Sequence, residues 1–270
     1  MFSPFSLILG GGSARGIAHI WVIQRLEELR VTPTEVVGTS MWAIVWAFYS
    51  AGFSTERMKK VLEDMTFLKL VDFDMGRGGI QGKKVMQFLR DHLGEIQFAD
   101  LKIPLTIIAV NINSGETILF RTGNVIDAIR ASISIPGVFV PFQMHHESYI
   151  DGGITANLPI EYARKQEKKV IAVSVYKKPG SSSDIVSDGF FSNTPFARVY
   201  KTLQKSLDII LLQNEVRSIA TRKDALVLYP ENTVEYHEFD KWDILIQSGY
   251  DASQKIEKYL QKKRGFPFFQ

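Results

Sequence analysis

Short apolar runs alternate with amphipathic segments over the first two-thirds of the chain. The short runs 5–9 and 35–37 are mostly apolar and lead into glycine, which is typical of strands buried inside a sheet. Apolar residues recur at helical spacing over 17–30 and 41–51. Further helices are predicted over 55–65, 83–93, 125–131 and 159–168, and further strands over 105–111, 117–120, 148–150 and 170–175. This order predicts the α/β class, with a mostly parallel central sheet covered by helices.

The last third of the chain has a weaker pattern. Residues 179–188 are rich in Ser, Gly and Asp, a composition typical of a loop. A long helix is predicted over 190–221, a final strand over 225–229 and a charged amphipathic helix over 251–263. Because no sharp boundary separates two units, we expect a single domain over 1–270, with its core in about 5–178.

Composition narrows the class of protein. Hydrophobic residues make up 45% and charged residues 23% of the chain, as in a globular protein with a sizeable core. The formal net charge is only +3, and no concentrated basic stripe with interleaved aromatic residues is present, which argues against a nucleic-acid partner. The chain contains no cysteine, which excludes disulfides, thiolate catalysis and cysteine-bound zinc.

Two apolar segments lack the features of membrane or export signals. Residues 1–9 have no basic region and run into glycines, so they predict a first strand rather than a signal peptide. Residues 36–53 carry no charge, but Gly38-Thr39-Ser40 divides them into a strand and a short helix. We therefore expect a cytoplasmic protein without a membrane-spanning helix.

The first predicted strand leads into a glycine-rich turn, Gly10-Gly11-Gly12-Ser13-Ala14-Arg15-Gly16, and then into a helix. Glycines let the backbone turn tightly and present its N–H groups, and the start of the helix adds partial positive charge. Such a turn binds an anion, which is either a phosphate or the oxyanion of an acyl-transfer intermediate.

A second turn, Gly38-Thr39-Ser40-Met41, lies between the second predicted strand and the next helix. A serine in this position presents its hydroxyl beside the helix start, as in the nucleophile elbow G-x-S-x-G. Trp42 replaces the second glycine, so the local match is partial. A lone Gly-Thr-Ser is also typical of a turn or a helix cap.

A catalytic serine needs a base. His19 and His92 lie in helical patterns, and His145 and His146 lie on a polar hairpin-like stretch, so we expect packing or surface roles for these four. His237 follows the serine in chain order and is a candidate for a Ser–Asp–His arrangement.

Asp151-Gly152-Gly153 follows a short predicted strand. An aspartate at a strand end, followed by two glycines, can point into a cleft, although Asp-Gly is also common in ordinary turns. A partly desolvated carboxylate has a raised proton affinity and can act as a general base.

Together, the glycine-rich turn, the Gly-Thr-Ser turn and Asp-Gly-Gly resemble the patatin-like phospholipase family. The resemblance runs from about residue 7 to about residue 175 and includes Ala131-Ser132-Ile133-Ser134-Ile135-Pro136-Gly137-Val138-Phe139 and Asn157-Leu158-Pro159. It implies a three-layer α/β/α sandwich and a serine hydrolase that cleaves lipid acyl esters without a metal or other cofactor.

The resemblance also implies roles for single residues. Ser40 and Asp151 would form a catalytic dyad without histidine. The oxyanion hole would be formed by the backbone of Gly11, Gly12, Ser13, Ala14 and Arg15. The elbow would comprise Gly38, Thr39, Met41 and Trp42 around the serine, and Gly152 and Gly153 would complete the proton-acceptor motif.

Trp21, Trp42 and Trp46 stand where this family usually has glycine. An indole needs far more room than a glycine, and overpacking a tight core costs about 1–3 kcal/mol. Two hypotheses follow. Either the fold has a wider gap that the rings fill, or the chain is an altered or engineered variant that binds lipid with impaired catalysis.

Nucleotide binding is an alternative, because a glycine-rich turn between a strand and a helix also cradles pyrophosphate. Gly11 and Gly16 fit the spacing G-x-G-x-x-G, but Ser13 occupies the middle position. Glu35 is the best candidate for the ribose-binding acid.

The expected partner is a lipid or another acyl-ester substrate. Transient contact with a membrane surface would use Phe190-Phe191 or the apolar residues 266–269. The chain is expected to be a monomer or a homodimer.

Overall fold

The structure is a computed structural model, and it describes residues 2–12, 16, 18–64, 72–74, 76, 79–164, 169–176, 195–230 and 242–261. Its helices are α1 (Ala18–Glu28), α2 (Ala43–Ser50), α3 (Thr55–Asp64), α4 (Lys83–Leu93), α5 (Val125–Ser132), α6 (Gly153–Ala156), α7 (Pro195–Thr221), α8 (Trp242–Ser253) and α9 (Lys255–Leu260). Short 3₁₀ helices cover Ser40–Trp42, Phe98–Asp100 and Ile160–Tyr162. The strands are β1 (Ser6–Leu9), β2 (Glu35–Thr39), β3 (Phe73–Asp74), β4 (Gly79–Ile80), β5 (Leu105–Asn111), β6 (Thr117–Phe120), β7 (Phe142–Met144), β8 (Glu147–Asp151), β9 (Val170–Val173) and β10 (Leu226–Leu228).

The central sheet is built around five parallel strands in the order β10-β9-β1-β2-β5. β6 and β8 pair antiparallel with β5, and β7 pairs antiparallel with β8. β3 and β4 form a separate two-stranded antiparallel sheet.

Helices cover both faces of the central sheet. Along β1, Leu7 and Leu9 contribute to the larger hydrophobic core and Ile8 to a second one, because successive side chains of a strand point to opposite faces. The larger core includes apolar residues of α1 and α2, and the second includes residues of α6 and α7. The predicted α/β class and its layered arrangement are confirmed.

One edge of β5 determines where the candidate site lies. β2 pairs in parallel with the first half of β5, and β8 pairs antiparallel with the second half. β6 pairs with the middle of β5 and must therefore use its other edge. As a result β2 and β8 meet end to end along one edge, where Thr39 pairs with Ile108 and Asp151 pairs with Ala109.

One predicted helix does not form in the part that the structure describes. The sequence predicts a helix over 159–168, but the chain makes only the 3₁₀ turn Ile160–Tyr162. Ala163 leaves this turn with φ −59° and ψ 143°, and the N–H of Arg164 donates to the Glu35 carboxylate at 2.6 Å. Since that donor is used across the fold, it cannot continue a helix.

The C-terminal helices also differ from the prediction. The described part of the helix predicted over 190–221 is α7, which begins at Pro195. The helix predicted over 251–263 is divided between α8 and α9 by a turn at Gln254. The loop predicted over 179–188 lies outside the described residues.

The uncharged segment 36–53 is divided between β2, a 3₁₀ turn and α2, as its Gly-Thr-Ser break predicts. Of the helices within the described ranges, none is long and apolar enough to cross a membrane. Phe190-Phe191 and residues 266–269, the predicted membrane contacts, lie outside those ranges.

Candidate active site

Ser40 is the first residue of the short 3₁₀ helix between β2 and α2. Its φ of 63° is in the left-handed region, which is uncommon for a residue with a side chain and marks a strained position. Gly38 and Thr39 end β2 before it, and Met41 and Trp42 follow it in the 3₁₀ helix. A serine in a strained strand-to-helix turn is the arrangement of a nucleophile elbow.

Ser132 holds this turn in place. Its hydroxyl accepts the Ser40 N–H at 2.8 Å and donates to the Ile108 carbonyl at 2.6 Å. Ser132 is the fully buried last residue of α5, so it connects the turn to β5. The sequence marks Ser132 only as part of the stretch 131–139, because its hydrogen bonds form only in the folded chain.

Ser40 and Asp151 are in contact, although they are 111 positions apart in the sequence. The Ser40 Oγ donates to the Asp151 Oδ2 at 2.6 Å. The other carboxylate oxygen, Oδ1, accepts the N–H of Gly153 at 2.7 Å. The contact arises because β2 and β8 end at adjacent residues of β5.

Burial changes the acidity of Asp151. The residue is only 4% exposed, and loss of hydration raises the pKa of its carboxyl to about 6, while hydrogen bonds from Ser40 and Gly153 oppose the rise. The carboxylate is therefore still mostly ionised at neutral pH but accepts a proton more readily than an exposed aspartate. Both properties suit a general base.

The two glycines after the aspartate allow a close approach of the backbone. A Cβ atom on Gly152 would lie 2.2 Å from the Ile108 carbonyl oxygen and 2.5 Å from Thr39 Oγ1. A Cβ atom on Gly153 would lie 2.9 Å from Asn157 Oδ1. A side chain at position 152 would therefore push the start of α6 away from β2 and β5, and one at position 153 would collide with Leu211 of α7 and with Asn157.

The glycine-rich turn passes directly beside the elbow. A Cβ atom on Gly11 would lie 3.1 Å from Ser40 Cβ and 2.5 Å from Asn157 Oδ1. The N–H of Gly11 donates to the Asn157 backbone carbonyl at 3.0 Å, so this predicted oxyanion-hole amide is already engaged. The turn can approach Ser40 this closely because Gly11 has no side chain.

The other predicted oxyanion-hole residues follow Gly11. Gly12 lies against Val175, whose Cγ2 would be 2.1 Å from a Cβ atom on the glycine. Ser13, Ala14 and Arg15 lie outside the described residues.

His19 is fully buried and packs near the glycine turn. Its Nε2 bonds to the Gly10 carbonyl at 2.9 Å, and its ring meets Trp42 and Trp46 edge-on, with centroid distances of 5.9 and 4.9 Å. Burial lowers the pKa of His19 to about 3, against the effect of the bond to Gly10, so the ring is neutral at physiological pH. The packing role expected for His19 is confirmed.

None of the other histidines that the structure describes bonds to Ser40. His145 and His146 form an exposed turn between β7 and β8, as predicted, with φ of 51° and 65°. His92 bonds to the Phe88 carbonyl at 2.9 Å. His237 lies outside the described residues.

Two of the three unusual tryptophans fill space over glycines. A Cβ atom on Gly16 would lie 2.1 Å from Trp42 Cε2, and one on Gly38 would lie 2.2 Å from Trp46 Cδ1. Both indoles are buried in the larger core. This packing favours the hypothesis of a gap that the rings fill.

Trp21 has a different environment. The Lys59 ammonium lies 3.7 Å from the centroid of its ring, and its Cβ would lie 3.0 Å from a Cβ atom on Gly249 of α8. Trp21 thus packs between helices rather than over a glycine of the elbow or the glycine turn.

Glu35 cannot serve as the ribose-binding acid of a nucleotide site at the glycine turn. It begins β2 and pairs with Ser6 at the start of β1, whereas the turn follows Leu9 at the other end of that strand. Its carboxylate accepts the Ser6 hydroxyl at 2.7 Å and contacts Arg164. Because Glu35 lies at the opposite end of these strands, the nucleotide alternative loses its candidate ribose-binding acid.

A further buried carboxylate, not predicted from the sequence, lies behind the glycine turn. Glu215 of α7 accepts hydrogen bonds from Asn157 and Ser174, at 2.6 and 2.5 Å. No local pattern marks it, since its partners are 58 and 41 positions away. Within the described ranges, no group of three His, Asp or Glu side chains comes together as metal ligands would.

Comparison with known proteins identifies the family. The model of the patatin-like phospholipases matches residues 7–164. An uncharacterised NTE family protein of Mycobacterium tuberculosis is 38% identical over 158 residues, which cover 57% of this chain and 44% of that protein. Patatin-like phospholipase domain-containing protein 6 of Mus musculus is 30% identical over an alignment 299 positions long, which covers 97% of this chain and 22% of that protein. The chain therefore spans less than half the length of these relatives.

Solved structures share the fold. VipD from Legionella pneumophila superposes with a TM-score of 0.61 and 14% identity, covering 96% of this chain and 67% of that chain. ExoU from Pseudomonas aeruginosa, solved in complex with SpcU, superposes with a TM-score of 0.50 and 15% identity, covering 97% of this chain and 54% of that chain. At such identities the likeness concerns the fold alone. Because the family model matches more than half of its 270 residues, this chain belongs to the patatin-like phospholipase family.

Proposed function

We propose that this chain hydrolyses acyl esters of lipids, with Ser40 as the nucleophile and Asp151 as the general base. The observation that carries the proposal is the 2.6 Å hydrogen bond from Ser40 Oγ to Asp151 Oδ2 at a left-handed strand-to-helix turn. Membership of the family supports a lipid as the acyl donor. The activity would be of the phospholipase A, lysophospholipase or carboxylesterase type.

The first half of the reaction forms an acyl-enzyme. Ser40 Oγ attacks the ester carbonyl carbon while its proton passes to Asp151 Oδ2. Backbone N–H groups of the glycine-rich turn from Gly12 to Arg15 would bind the negative oxygen, each contributing about 3–4 kcal/mol. The intermediate then breaks its bond to the alcohol, which leaves with the proton held by Asp151.

The second half releases the acid. A water molecule gives a proton to Asp151 while its oxygen attacks the acyl carbon. When the bond to Ser40 Oγ breaks, the proton returns from Asp151 to the serine and the free acid departs. One ester and one water thus give one acid and one alcohol, and these steps use no metal or cofactor.

Variants of the two residues test the assignment on a soluble p-nitrophenyl ester. Ser40→Ala and Asp151→Asn should each lower kcat by about a thousandfold or more, with circular dichroism spectra unchanged. His237→Ala should retain activity and serves as the control for a Ser–Asp–His arrangement. An inactive His237→Ala together with an active Asp151→Asn would show that the base is misassigned.

A second experiment uses lipids in place of artificial esters to identify the natural substrate. Purified protein is incubated with a panel of phospholipids, lysophospholipids and glycerides, and the products are separated by mass spectrometry. Ser40→Ala is the matched control, because any product that it also forms is not made by this site.

Lipid binding without turnover is a second candidate function. Trp42 packs over Gly16 beside the elbow, and Ser40 is only 6% exposed, which favours a site with restricted access. A fluorophosphonate probe distinguishes the two functions, because only an activated serine reacts with it. Labelling of the wild type but not of Ser40→Ala supports hydrolysis. Vesicle binding by an unlabelled wild type supports the second candidate.

A further inference from the structure

A buried carboxylate with no place in the proposed reaction lies on α7. Glu215 is 1% exposed, and each of its oxygens accepts a hydrogen bond. Oε1 accepts from Asn157 Nδ2 at 2.6 Å, and Oε2 accepts from Ser174 Oγ at 2.5 Å. Burial raises the pKa of Glu215 to about 7, against the effect of these two bonds. Burying a carboxylate costs free energy, so its position needs a physical explanation, which its two hydrogen-bond partners suggest.

The first partner, Asn157, bonds to the glycine turn. Its backbone carbonyl accepts the Gly11 N–H at 3.0 Å, and its Nδ2 lies 3.5 Å from the Gly11 carbonyl oxygen. Gly11 is in turn packed against Ser40, since a Cβ atom on the glycine would lie 3.1 Å from Ser40 Cβ. The rotamer of Asn157 therefore helps to set the distance between the glycine turn and the nucleophile.

The second partner, Ser174, lies next to the residue that anchors the other side of the same turn. Ser174 directly follows β9, and the last residue of β9, Val173, accepts the Gly10 N–H at 3.0 Å. Glu215 thus joins the two segments between which the glycine turn leaves the sheet. Oε1 bonds to the segment that contains Asn157, and Oε2 bonds to the segment that contains Ser174.

Neighbouring side chains of α7 extend this support. Asn214 Nδ2 donates to the Ile154 carbonyl at 2.6 Å, and Ser218 Oγ accepts the Ile160 N–H at 3.0 Å. One face of α7 therefore holds the segment that follows Asp151. The whole of α7 lies beyond residues 7–164, the part of the chain that the family model matches.

We infer that Glu215 is a positioning residue for ester hydrolysis, which fixes Asn157 and Ser174 and so holds the glycine turn against Ser40. This inference rests on the proposed function. Glu215 touches neither Ser40 Oγ nor Asp151 in the structure; it acts through the two side chains that it bonds. Its loss should therefore slow turnover rather than weaken substrate binding.

The test compares Glu215→Ala and Glu215→Gln with a matched buried glutamate, Glu35→Ala. Glu35 is 2% exposed and also accepts two hydrogen bonds, from the Ser6 hydroxyl and the Arg164 backbone N–H, and its carboxylate contacts the Arg164 guanidinium. It lies at the opposite end of the strands from the glycine turn. Values of kcat and KM are measured on a soluble p-nitrophenyl ester, and melting temperatures on the same samples.

Glu215→Ala should lower kcat about tenfold or more with KM changed less than about twofold, because a slightly misplaced oxyanion site loses transition-state contacts. Glu215→Gln should restore kcat to within about twofold, since its carbonyl can accept from Asn157 and its amide can donate to Ser174. Glu35→Ala should lower the melting temperature and leave kcat within about twofold of wild type.

Equal kcat values for Glu215→Ala and Glu35→Ala would overturn the inference, as would a Glu215→Gln as slow as Glu215→Ala. If Glu215→Ala does not fold, Ser174→Ala removes only one of the two hydrogen bonds, and an unchanged kcat in that variant would also overturn it. Failure of the proposed function is distinguishable, because then the wild type itself neither turns over ester nor reacts with a fluorophosphonate, and the inference falls with it.

Discussion

The indole of Trp46 lies directly against Gly38, so that a Cβ atom built on the glycine would come within 2.2 Å of the ring Cδ1. Trp46 is fully buried, and its ring also meets His19 edge-on at a centroid distance of 4.9 Å. The glycine and the tryptophan are therefore a single packing unit. The missing side chain of one makes the room that the other occupies.

This packing predicts coupled effects on stability. Gly38→Ala should lower the free energy of unfolding by about 1–3 kcal/mol, because the new methyl group displaces the ring. Trp46→Ala should lower it by about 3–5 kcal/mol through the cavity it leaves. The double variant should lose at least about 1 kcal/mol less than the sum, since the methyl group then enters the vacated space. Urea unfolding of the four proteins measures the coupling, and strict additivity would contradict it.

The activity should depend on pH through Asp151. The carboxyl must be ionised to accept the proton of Ser40, and burial raises its pKa to about 6. We expect kcat/KM to rise about tenfold per pH unit on the acid side of that value and to become level above about pH 7. A midpoint near pH 4, typical of an exposed aspartate, would contradict the assignment.

Glu215 is the group most easily confused with Asp151 in such a profile, because burial raises the pKa of Glu215 to about 7. The same measurement on Glu215→Gln removes that titration. An acidic limb that persists in this variant belongs to Asp151. Circular dichroism at each pH separates loss of activity from loss of fold.

The raised pKa of Asp151 also predicts that its charge destabilises the fold. The folded-state value of about 6 exceeds the ordinary value of 3.8, so the group favours folding most at low pH and this contribution is lost as the pH rises through that interval. Asp151→Asn removes the buried charge, while its amide can still accept from Gly153 and donate to Ser40. At pH 8 the variant should be more stable by up to about 3 kcal/mol. Guanidinium unfolding at about pH 8 and pH 4 measures the difference, which should shrink at the lower pH; equal stability at both would contradict the raised pKa.

The buried parallel strands could be predicted because their signal is local. β1, β2 and β5 are apolar runs that are buried along their whole length, and each leads into a turn. The Gly-Thr-Ser and Asp-Gly-Gly motifs are also local, and both lie at strand ends as predicted. How the two motifs meet was not predictable in the same way. It depends on β8 pairing with the half of the β5 edge that β2 leaves open.

The polar support of the site depends on contacts between distant segments. The residues after Pro159 favour a helix, yet the N–H of Arg164 donates to the carboxylate of Glu35, which is distant in the sequence. Glu215 lies in a polar part of a long helix and resembles any exposed glutamate until Asn157 is placed beside it. A residue whose role is set by one long-range hydrogen bond carries no periodic signal.

Ser132 provides the most direct test of the strained elbow. Its hydroxyl accepts the Ser40 N–H and donates to the Ile108 carbonyl, so Ser132→Ala leaves the Ser40 N–H without this partner and frees the turn to relax. We expect kcat to fall by about ten- to a hundredfold, because a nucleophile displaced by a fraction of an ångström loses its aligned attack. Labelling by a fluorophosphonate should slow in parallel. Ser114→Ala, at an exposed serine between β5 and β6, is the matched control and should leave both rates unchanged. Wild-type rates in Ser132→Ala would show that the left-handed conformation of Ser40 is maintained without this hydroxyl.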